Sequence, residues 1–427
     1  MINKIIIGLT GRFGAGCTTT LNLLRDEYDF SCYSLSDYVK KVAKEKYIDF
    51  DIYDDSKKRE ILQDLGDNIR ESNKNQAYLA KKIIPLIKQN KNKKIIIDSF
   101  KNTAEIKEFR RSFNNFIMFA IDANSDNRWE RLADLYKGKR ELFDKDDIRD
   151  AGTNEAPYHG QQVKACMSLS DVLINSDRSF FKNNSEQDND TIEEYGQKIK
   201  GYLDIISNPG YRQPIFDELY MHQACSISLK SLCLKRQVGA VIVKKMENIN
   251  KPGIEESYII STGCNNVPVG EVPCISSEGC FRDAKKNDFL KNSLYCRKCG
   301  KKLSEDQYVC SNCFQKTLDF PGRLLDLCRS VHAEEAAILQ AAKLGISIND
   351  TIIYTSTFPC LLCSKKLINS GVKEIVYLES YPMPQSYKML QKCGILIRKY
   401  EGVSARSFHN FFTRDILPSI KLKEKEQ

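Results

Sequence analysis

The residues best suited to chemistry are one histidine, one glutamate and a pair of cysteines. SVHAEEAAIL places His332 and Glu334 at the start of an Ala-rich helical pattern, and STFPCLLCSKKL places Cys360 and Cys363 in a C-x-x-C pair. One imidazole and two thiolates are three ligands for tetrahedral zinc, and catalytic zinc sites keep the fourth position open for water. We therefore predict that His332, Cys360 and Cys363 hold a catalytic zinc ion.

Glu334 is the candidate for proton transfer. Bound zinc lowers the pKa of a water molecule toward neutrality, and a carboxylate two residues from the histidine can carry that proton to a leaving amine. The elements H-x-E and P-C-x-x-C form the signature of zinc-dependent nucleobase deaminases, and this sequence has both. The alternative, a structural zinc site with Glu334 on the surface, would require a fourth protein ligand, which the signature does not need.

Four further cysteines predict a second metal site. Cys296, Cys299, Cys310 and Cys313 form two C-x-x-C pairs a hairpin apart, a spacing typical of a four-cysteine zinc ribbon. The ribbon would lie in a Lys-rich insertion over about 285–320, whose short length leaves metal to supply much of its stability. Whether it braces the domain or contacts nucleic acid stays open.

A glycine loop near the N-terminus is the third candidate site. GRFGAGCT, residues 11–18, fits the phosphate-binding pattern G-x-x-x-x-G-K-[ST] except that cysteine stands in the lysine position. We expect it to bind an NTP, with Mg²⁺ near a threonine and a strand-end aspartate, without efficient phosphoryl transfer; a glycine turn without a ligand is the alternative. The predicted nucleotide-binding residues are Gly11, Gly14, Ala15, Gly16, Cys17, Thr18 and Asp98.

The pattern of apolar residues along the sequence predicts the strands and helices that position these residues. The first half alternates helical patterns with the apolar strands KIIIGLT, KKIIIDSF, NFIMFAID and DVLIN, which is typical of a parallel sheet covered by helices. The second half predicts a long helix to about Cys233, strands QVGAVIVKK and SYIISTG, the helix after His332, strand TIIYTS, a helix from Cys360, and strands EIVYL and ILIRKY. The fold class is therefore α/β.

A boundary between two domains is predicted at NPGYRQP, residues 208–214, which contains two prolines and a glycine. The predicted domains are a P-loop domain over 1–208 and a zinc domain over 209–427 that contains the ribbon insertion. A length of 427 residues is sufficient for this division.

The composition indicates which cellular compartment and which kinds of binding partner to expect. The 16 cysteines are expected to be reduced, since no export signal is evident, so the C-x-x-C pairs indicate metal rather than disulfides. No apolar run approaches the roughly 20 residues of a membrane helix, and we expect a cytoplasmic protein without a membrane partner. The net charge of +9 is spread along the chain and favours a solvated Lys-rich surface over a nucleic-acid patch.

The second half resembles the deoxycytidylate deaminase family. KRQVGAVIVKK, STGCNNVPVGEVPC, GCFRD, VHAEEAAI and TSTFPCLLCSKKLINSGVKEIVY occur in the order and spacing of that family. The resemblance implies a deoxycytidine nucleotide substrate, with Asn265 binding the deoxyribose and Ala333 also at the substrate. Cys264, Asn266 and Ala336 depart from the Tyr, Gly and Asn that are usual there, which bears on the fine substrate contacts.

The whole chain resembles the anti-phage dCTP deaminases of bacteria, in which a P-loop domain is fused to such a deaminase. NRWERL, with Arg128 and Arg131, also resembles the arginine-bearing helix of nucleoside monophosphate kinases. The resemblance implies conversion of dCTP to dUTP and dCMP to dUMP, draining the dCTP pool of a phage, with the P-loop domain as regulator. It also implies an inhibitory small RNA in some members and a homo-oligomer, commonly a hexamer.

Two other functions compete with this interpretation. A deaminase acting on single-stranded DNA or tRNA would use the ribbon and the basic charge to hold its substrate, but the Asn265 segment favours a free nucleotide. An NTP-driven switch with a deaminase half that only binds would have no need of Glu334.

Overall fold

The structure, a computed structural model, divides the chain into two compact units. The first consists of Met1–Glu218 and Tyr400–Gln427, and the second of Leu219–Lys399. The zinc domain predicted over 209–427 therefore extends too far, because the strand Gly402–Val403 pairs with Val172–Leu173 of the first unit. The residues that the structure describes are 4–46, 53, 55–152, 160–177, 187–247, 255–284, 299, 312, 328–380 and 384–413.

Both units contain strands and helices. The strands are β1 Ile5–Gly11, β2 Ser31–Ser34, β3 Lys94–Asp98, β4 Phe116–Asp122, β5 Val172–Asn175, β6 Gly239–Glu247, β7 Glu255–Cys264, β8 Ile352–Thr357, β9 Glu374–Glu379, β10 Leu396–Lys399 and β11 Gly402–Val403. The helices are α1 Cys17–Tyr28, α2 Leu35–Lys46, α3 Asp55–Ser72, α4 Tyr78–Gln89, α5 Thr103–Ser112, α6 Ser125–Leu132, α7 Arg140–Ala151, α8 Val163–Ser168, α9 Gln187–Ser207, α10 Phe216–Ser228, α11 Ala333–Leu344, α12 Leu361–Asn369, α13 Pro384–Lys392 and α14 Phe408–Phe412.

The sheet of the first unit has the order β11-β5-β4-β1-β3-β2. Strands β1 to β5 pair in parallel and β11 is antiparallel at one edge. Ile6 and Ile7 of β1 belong to two separate buried clusters, as expected when alternate residues of a strand face opposite sides of a sheet. The predicted parallel sheet covered by helices is confirmed, while β2, with the sequence SCYS, had no apolar run to predict it.

The sheet of the second unit has the order β10-β9-β8-β6-β7. Strand β6 is antiparallel to both β7 and β8, whereas β8, β9 and β10 are parallel. Its core joins β6, β8 and α11 through side chains such as Ile242, Ile353 and Ala337. The helix predicted to reach Cys233 ends at Ser228, after which the N–H groups of Leu229, Lys230 and Ser231 each donate to the carbonyl oxygen three residues earlier. In the part of the chain that the structure describes, no helix is long and apolar enough to cross a membrane.

Gly263 in β7 allows α11 to lie directly against the sheet. A Cβ at this position would lie 2.2 Å from the carbonyl oxygen of Ala333 and 2.4 Å from the amide nitrogen of Ala337. Both are backbone atoms, so no side-chain rotation can relieve the clash. We expect Gly263→Ala to lower the free energy of unfolding by about 1–3 kcal/mol in denaturant titrations.

Gly201→Ala is the control for this prediction. A Cβ at Gly201, in α9, would meet nothing within 4 Å, so alanine should be neutral or slightly stabilising in a helix. Equal unfolding midpoints for Gly263→Ala and the wild type would show that the close approach of α11 is not required.

Candidate active site

The three predicted zinc ligands lie together in the second unit. His332 Nδ1 is 3.3 Å from the Sγ of Cys360 and 3.3 Å from the Sγ of Cys363. Sulfur and nitrogen ligands of a tetrahedral zinc ion are about 3.5 Å apart, given typical bond lengths. The spacing and the chemistry of the donors therefore fit zinc, and within the described residues this is the cluster of histidine, cysteine or carboxylate groups able to hold a metal.

Helix starts and a short backbone pairing hold the ligands in place. His332 precedes α11, and Cys360 precedes α12, where its Sγ accepts a hydrogen bond from the Cys363 N–H at 3.5 Å. Next to the histidine, Val331 exchanges two backbone hydrogen bonds with Asn266, of 2.9 and 3.2 Å. The segment after β7 is thereby fixed beside the ligands.

The electrostatics of the pair of thiols favour one thiolate. The pKa of Cys360 is lowered to about 4, mainly because Cys363 donates a hydrogen bond to it, with His332 adding to the effect. The pKa of Cys363 is raised, chiefly because its proton is held in that same hydrogen bond. The hydrogen bond to Cys360 also raises the pKa of His332. Negative charge on Cys360 is what a metal ligand requires.

Glu334 lies in the first turn of α11 and is 4% exposed. Burial raises the pKa of its carboxyl group to about 7, and the charge of Cys360 contributes in the same direction. Glu334 is not part of the three-ligand cluster. A pKa near neutrality suits a group that must both accept and donate a proton.

Asn265 and Ala333, the two residues predicted to contact substrate, differ in whether the side chain can meet a ligand. Asn265 follows β7, where its Oδ1 accepts from the Val238 N–H at 2.7 Å and its Nδ2 donates to the Arg236 carbonyl oxygen at 2.8 Å. One N–H and one lone pair of that amide remain for a ligand. The side chain of Ala333 is fully buried in the core, so only its backbone could meet a substrate. Both substrate contacts stay predictions.

The predicted zinc ribbon lies mostly outside the described residues. Cys296, Cys310 and Cys313 are outside them, while Cys299 is described and lies in an exposed turn. The ribbon therefore stays a prediction.

Metal analysis of the purified protein should find about two zinc ions per chain, one catalytic and one in the ribbon. Cys296→Ser should remove about one of them and lower stability, because a short metal-bound insertion depends on its ion. Cys393→Ser, at an exposed cysteine outside both motifs, is the control and should keep both ions. A Cys296→Ser protein with its full zinc content would exclude the ribbon.

The glycine loop of the first unit connects β1 to α1, as predicted. Gly14 and Gly16 have φ angles of 79° and 105°, which favour glycine. A Cβ on Gly11 would lie 2.4 Å from the carbonyl oxygen of Ile121. Each of the three positions therefore needs glycine for a backbone reason.

Side chains from other elements hold the carbonyl groups of this loop. Arg128 donates to the Phe13 carbonyl oxygen at 3.1 Å, Arg131 to that of Gly14 at 3.0 Å, and Ser176 to that of Ala15 at 2.6 Å. The two arginines of NRWERL thus brace the loop in this structure. The Ala15 N–H donates to the Arg12 carbonyl oxygen at 2.9 Å, so other N–H groups of the loop are what an anion would meet.

The remaining predicted residues of the nucleotide site lie at the same edge of the sheet. The parallel pairing of β1 with β3 brings Asp98, at the end of β3, to the side of the sheet where the loop begins. Thr18 is exposed in the first turn of α1, and Ala15 is buried. Cys17 is half-buried, and burial raises the pKa of its thiol to about 12.

The structure also shows a group of charged residues near the loop, of which sequence reasoning singled out only Arg128. We call them the charge cluster: Arg12, Arg59, Lys101, Arg128, Asp146, Asp147 and Asp150. They are separated by up to 138 positions, counting from 12 to 150, and no motif links them.

Family models match a region in each of the two units. Residues 214–379 match the family model described as the cytidine and deoxycytidylate deaminase zinc-binding region, and residues 7–152 match one described as an AAA domain. The deoxycytidylate deaminase of Schizosaccharomyces pombe is 29% identical over 289 residues, covering 67% of this chain and 70% of that protein. That of Enterobacteria phage T2 is 30% identical over 159 residues, covering 36% of this chain and 75% of its own length.

A solved structure of dCMP deaminase from the cyanophage S-TIM5, in complex with dCMP and dUMP, is 25% identical. It aligns over 44% of this chain and 100% of that chain with a TM-score of 0.28.

The α/β fold, the signature residues and the cluster of His332, Cys360 and Cys363 define a zinc-dependent deaminase. The chain is 30% identical to the deoxycytidylate deaminase of phage T2 over 75% of that protein, and this similarity identifies the family within the zinc-dependent deaminases. The chain belongs to the deoxycytidylate deaminase family.

Proposed function

We propose that this protein hydrolyses the amine of deoxycytidine nucleotides, converting dCMP to dUMP and dCTP to dUTP. The observation that carries the proposal is Glu334, a buried carboxylate beside three zinc ligands but not one of them. The deoxycytidylate deaminases to which the chain is similar support the choice of nucleotide.

The roles of the residues follow from their placement. Zinc held by His332, Cys360 and Cys363 would supply a Lewis acid that lowers the pKa of a water molecule. Glu334 accepts a proton as that water attacks the ring carbon that carries the amine. It passes this proton to the ring nitrogen, takes the second proton of the water from the new hydroxyl group on the same carbon, and donates it to the amine, which leaves as ammonia when the C–N bond breaks.

We further propose that the deoxyribose is recognised by the free N–H and lone pair of Asn265. The pairing of Asn266 with Val331 holds this amide near His332. Its bonds to the 236–238 backbone fix its orientation, so little side-chain entropy is lost on binding.

For the first unit we propose a regulatory nucleotide site, within an anti-phage enzyme that drains dCTP. The alignment of 289 residues with the Schizosaccharomyces pombe protein is longer than the stretch 214–379, so the likeness extends beyond the deaminase region. The resemblance to anti-phage dCTP deaminases supports this role. It also supports inhibition of the enzyme by a small RNA and assembly into a homo-oligomer such as a hexamer.

A panel of substrates tests the proposed reaction. Purified protein is incubated with dCMP, dCTP, CTP or a cytosine-containing single-stranded oligonucleotide, and ammonia release is followed. We expect release from dCMP or dCTP and none from the oligonucleotide. Release from the oligonucleotide alone would favour the nucleic-acid deaminase instead.

The P-loop should bind nucleotide and turn it over slowly, because Cys17 replaces the motif lysine. Gly16→Val should abolish this binding, since the φ angle of 105° strains any side chain, and should leave the zinc content unchanged. Phosphoryl transfer to a nucleoside monophosphate, measured with ATP, should stay far below the roughly 1–100 s⁻¹ of kinases. Rates in that range would contradict the prediction.

A further inference from the structure

The charge cluster joins four cations to acidic residues of α7. Lys101 Nζ lies 2.8 Å from Asp150 Oδ1, and Arg59 lies 3.7 Å from the same oxygen. Arg128 lies 2.6 Å from Asp147, which also pairs with Arg12. Two buried carboxylates of one helix thus neutralise cations from four separate places in the sequence.

The cluster lies at the glycine loop. Phe100, the residue before Lys101, donates its N–H to the Leu9 carbonyl oxygen at 3.3 Å and accepts the Thr10 hydroxyl at 2.9 Å. These are the last residues of β1 before the loop begins. On the other side, Arg128 holds the Phe13 carbonyl group of the loop itself. Lys101 therefore enters from the end of β3, beside the start of the loop.

Hydrogen bonding in the cluster is incomplete. Among the described residues, buried side-chain atoms without a hydrogen-bond partner include Arg12 Nε, Arg59 Nε, Arg59 Nη2 and Asp150 Oδ2. Asp150 is 1% exposed, so its second oxygen is desolvated and has no donor. Arg12 Nε, Arg59 Nε and Arg59 Nη2 are donors without a hydrogen-bond acceptor, and phosphate oxygens are suitable acceptors for them.

The backbone that carries Lys101 is strained. Ser99, between Asp98 and Lys101, has a φ of 66°, a left-handed conformation that is strained for a non-glycine residue. Such strain concentrates at ligand-binding sites. Here it sets the direction in which the chain leaves β3 for Lys101.

We propose that Lys101 is the phosphate-binding lysine of this P-loop, supplying from the end of β3 the charge that Cys17 lacks. Asp150 is its counter-ion in the absence of ligand, and Lys101 exchanges this carboxylate for the phosphates of a nucleoside triphosphate. The inference rests on the proposed nucleotide site of the first unit and assigns the cation within it.

Binding to the full-length protein tests the assignment. The probes are ATP with Mg²⁺ and inorganic tripolyphosphate, titrated by calorimetry. Loss of a charge-assisted hydrogen bond should weaken both dissociation constants about 10-fold to 150-fold in Lys101→Ala. Lys94→Ala removes an exposed lysine at the opposite end of the same strand and should bind as the wild type does.

A rescue separates a phosphate contact from a merely structural role. Cys17→Lys restores the motif lysine, so the double variant Cys17→Lys/Lys101→Ala should regain most of the affinity. If Lys101→Ala does not fold, Lys101→Gln, which keeps most of the chain length and removes the charge, replaces it in both tests.

Each outcome decides the question. If the wild type binds neither probe, the proposed nucleotide site fails, and Lys101 with it. If the wild type binds and the Lys101 variant binds equally well, only the assignment of Lys101 is overturned. A loss of affinity that Cys17→Lys does not restore also overturns it.

Discussion

Glu334→Ala is expected to reduce deamination of dCMP and dCTP by at least about 10²–10⁴-fold, the usual contribution of general acid–base catalysis. Zinc content should not change, because Glu334 lies beside the ligand cluster without belonging to it. The loss should exceed the lower end of that range, since the reaction requires more than one proton transfer. Steady-state ammonia release together with metal analysis measures both quantities on one preparation.

Glu335→Ala is the matched control. It removes the same side chain one position later in α11, where Glu335 pairs with Lys366 and is partly exposed. Its deamination rate should stay within a few-fold of the wild type. A Glu334→Ala enzyme with near wild-type turnover would rule out the proton-transfer role, and one that loses zinc would make Glu334 a ligand.

His332→Ala should lose both the catalytic zinc and the activity. His332 Nδ1 is 3.3 Å from both cysteine sulfurs, so its removal leaves two thiolates, too few for a catalytic zinc site. Because bound metal contributes to folding, the second unit should also unfold at a lower denaturant concentration. Metal analysis should show a loss of about one zinc ion, with the ribbon ion retained.

The difference between His332→Ala and Glu334→Ala is the informative result. Both variants should be inactive, but only the histidine variant should lack zinc. His409→Ala, at a histidine of α14 in the first unit, is the control and should keep full zinc content. A His332→Ala protein with normal zinc content and activity would place the metal elsewhere.

Much of the candidate site could be predicted from the sequence, because its ligands lie in two short motifs. His332 and Glu334 are two positions apart, Cys360 and Cys363 are three positions apart, and each motif begins a helix. Local sequence therefore fixes the geometry within each motif. Only the approach of the two motifs to one another depends on the fold, which brings β7 and β8 to the two sides of β6.

Other features depend on contacts between distant segments and had no local signal. Strand β11 has two residues, so its pairing with β5 could not be inferred from periodicity, and the predicted domain end at 427 was wrong for that reason. The ion pair of Lys101 with Asp150 depends on where α7 lies beside the loop. Asn265 was predicted as a ligand for substrate, but its bonds to the 236–238 backbone appear only in three dimensions.

The central claim is that a zinc site containing Glu334 deaminates a deoxycytidine nucleotide, and zinc removal tests it most directly. Ammonia release from dCMP and dCTP is measured on the purified full-length protein as isolated, after removal of zinc with a chelator, and after addition of Zn²⁺. We expect release by the isolated protein, its loss with the metal, and its recovery on adding Zn²⁺. Undiminished release by zinc-free protein, or no release from either nucleotide by the zinc-loaded protein, would contradict the claim.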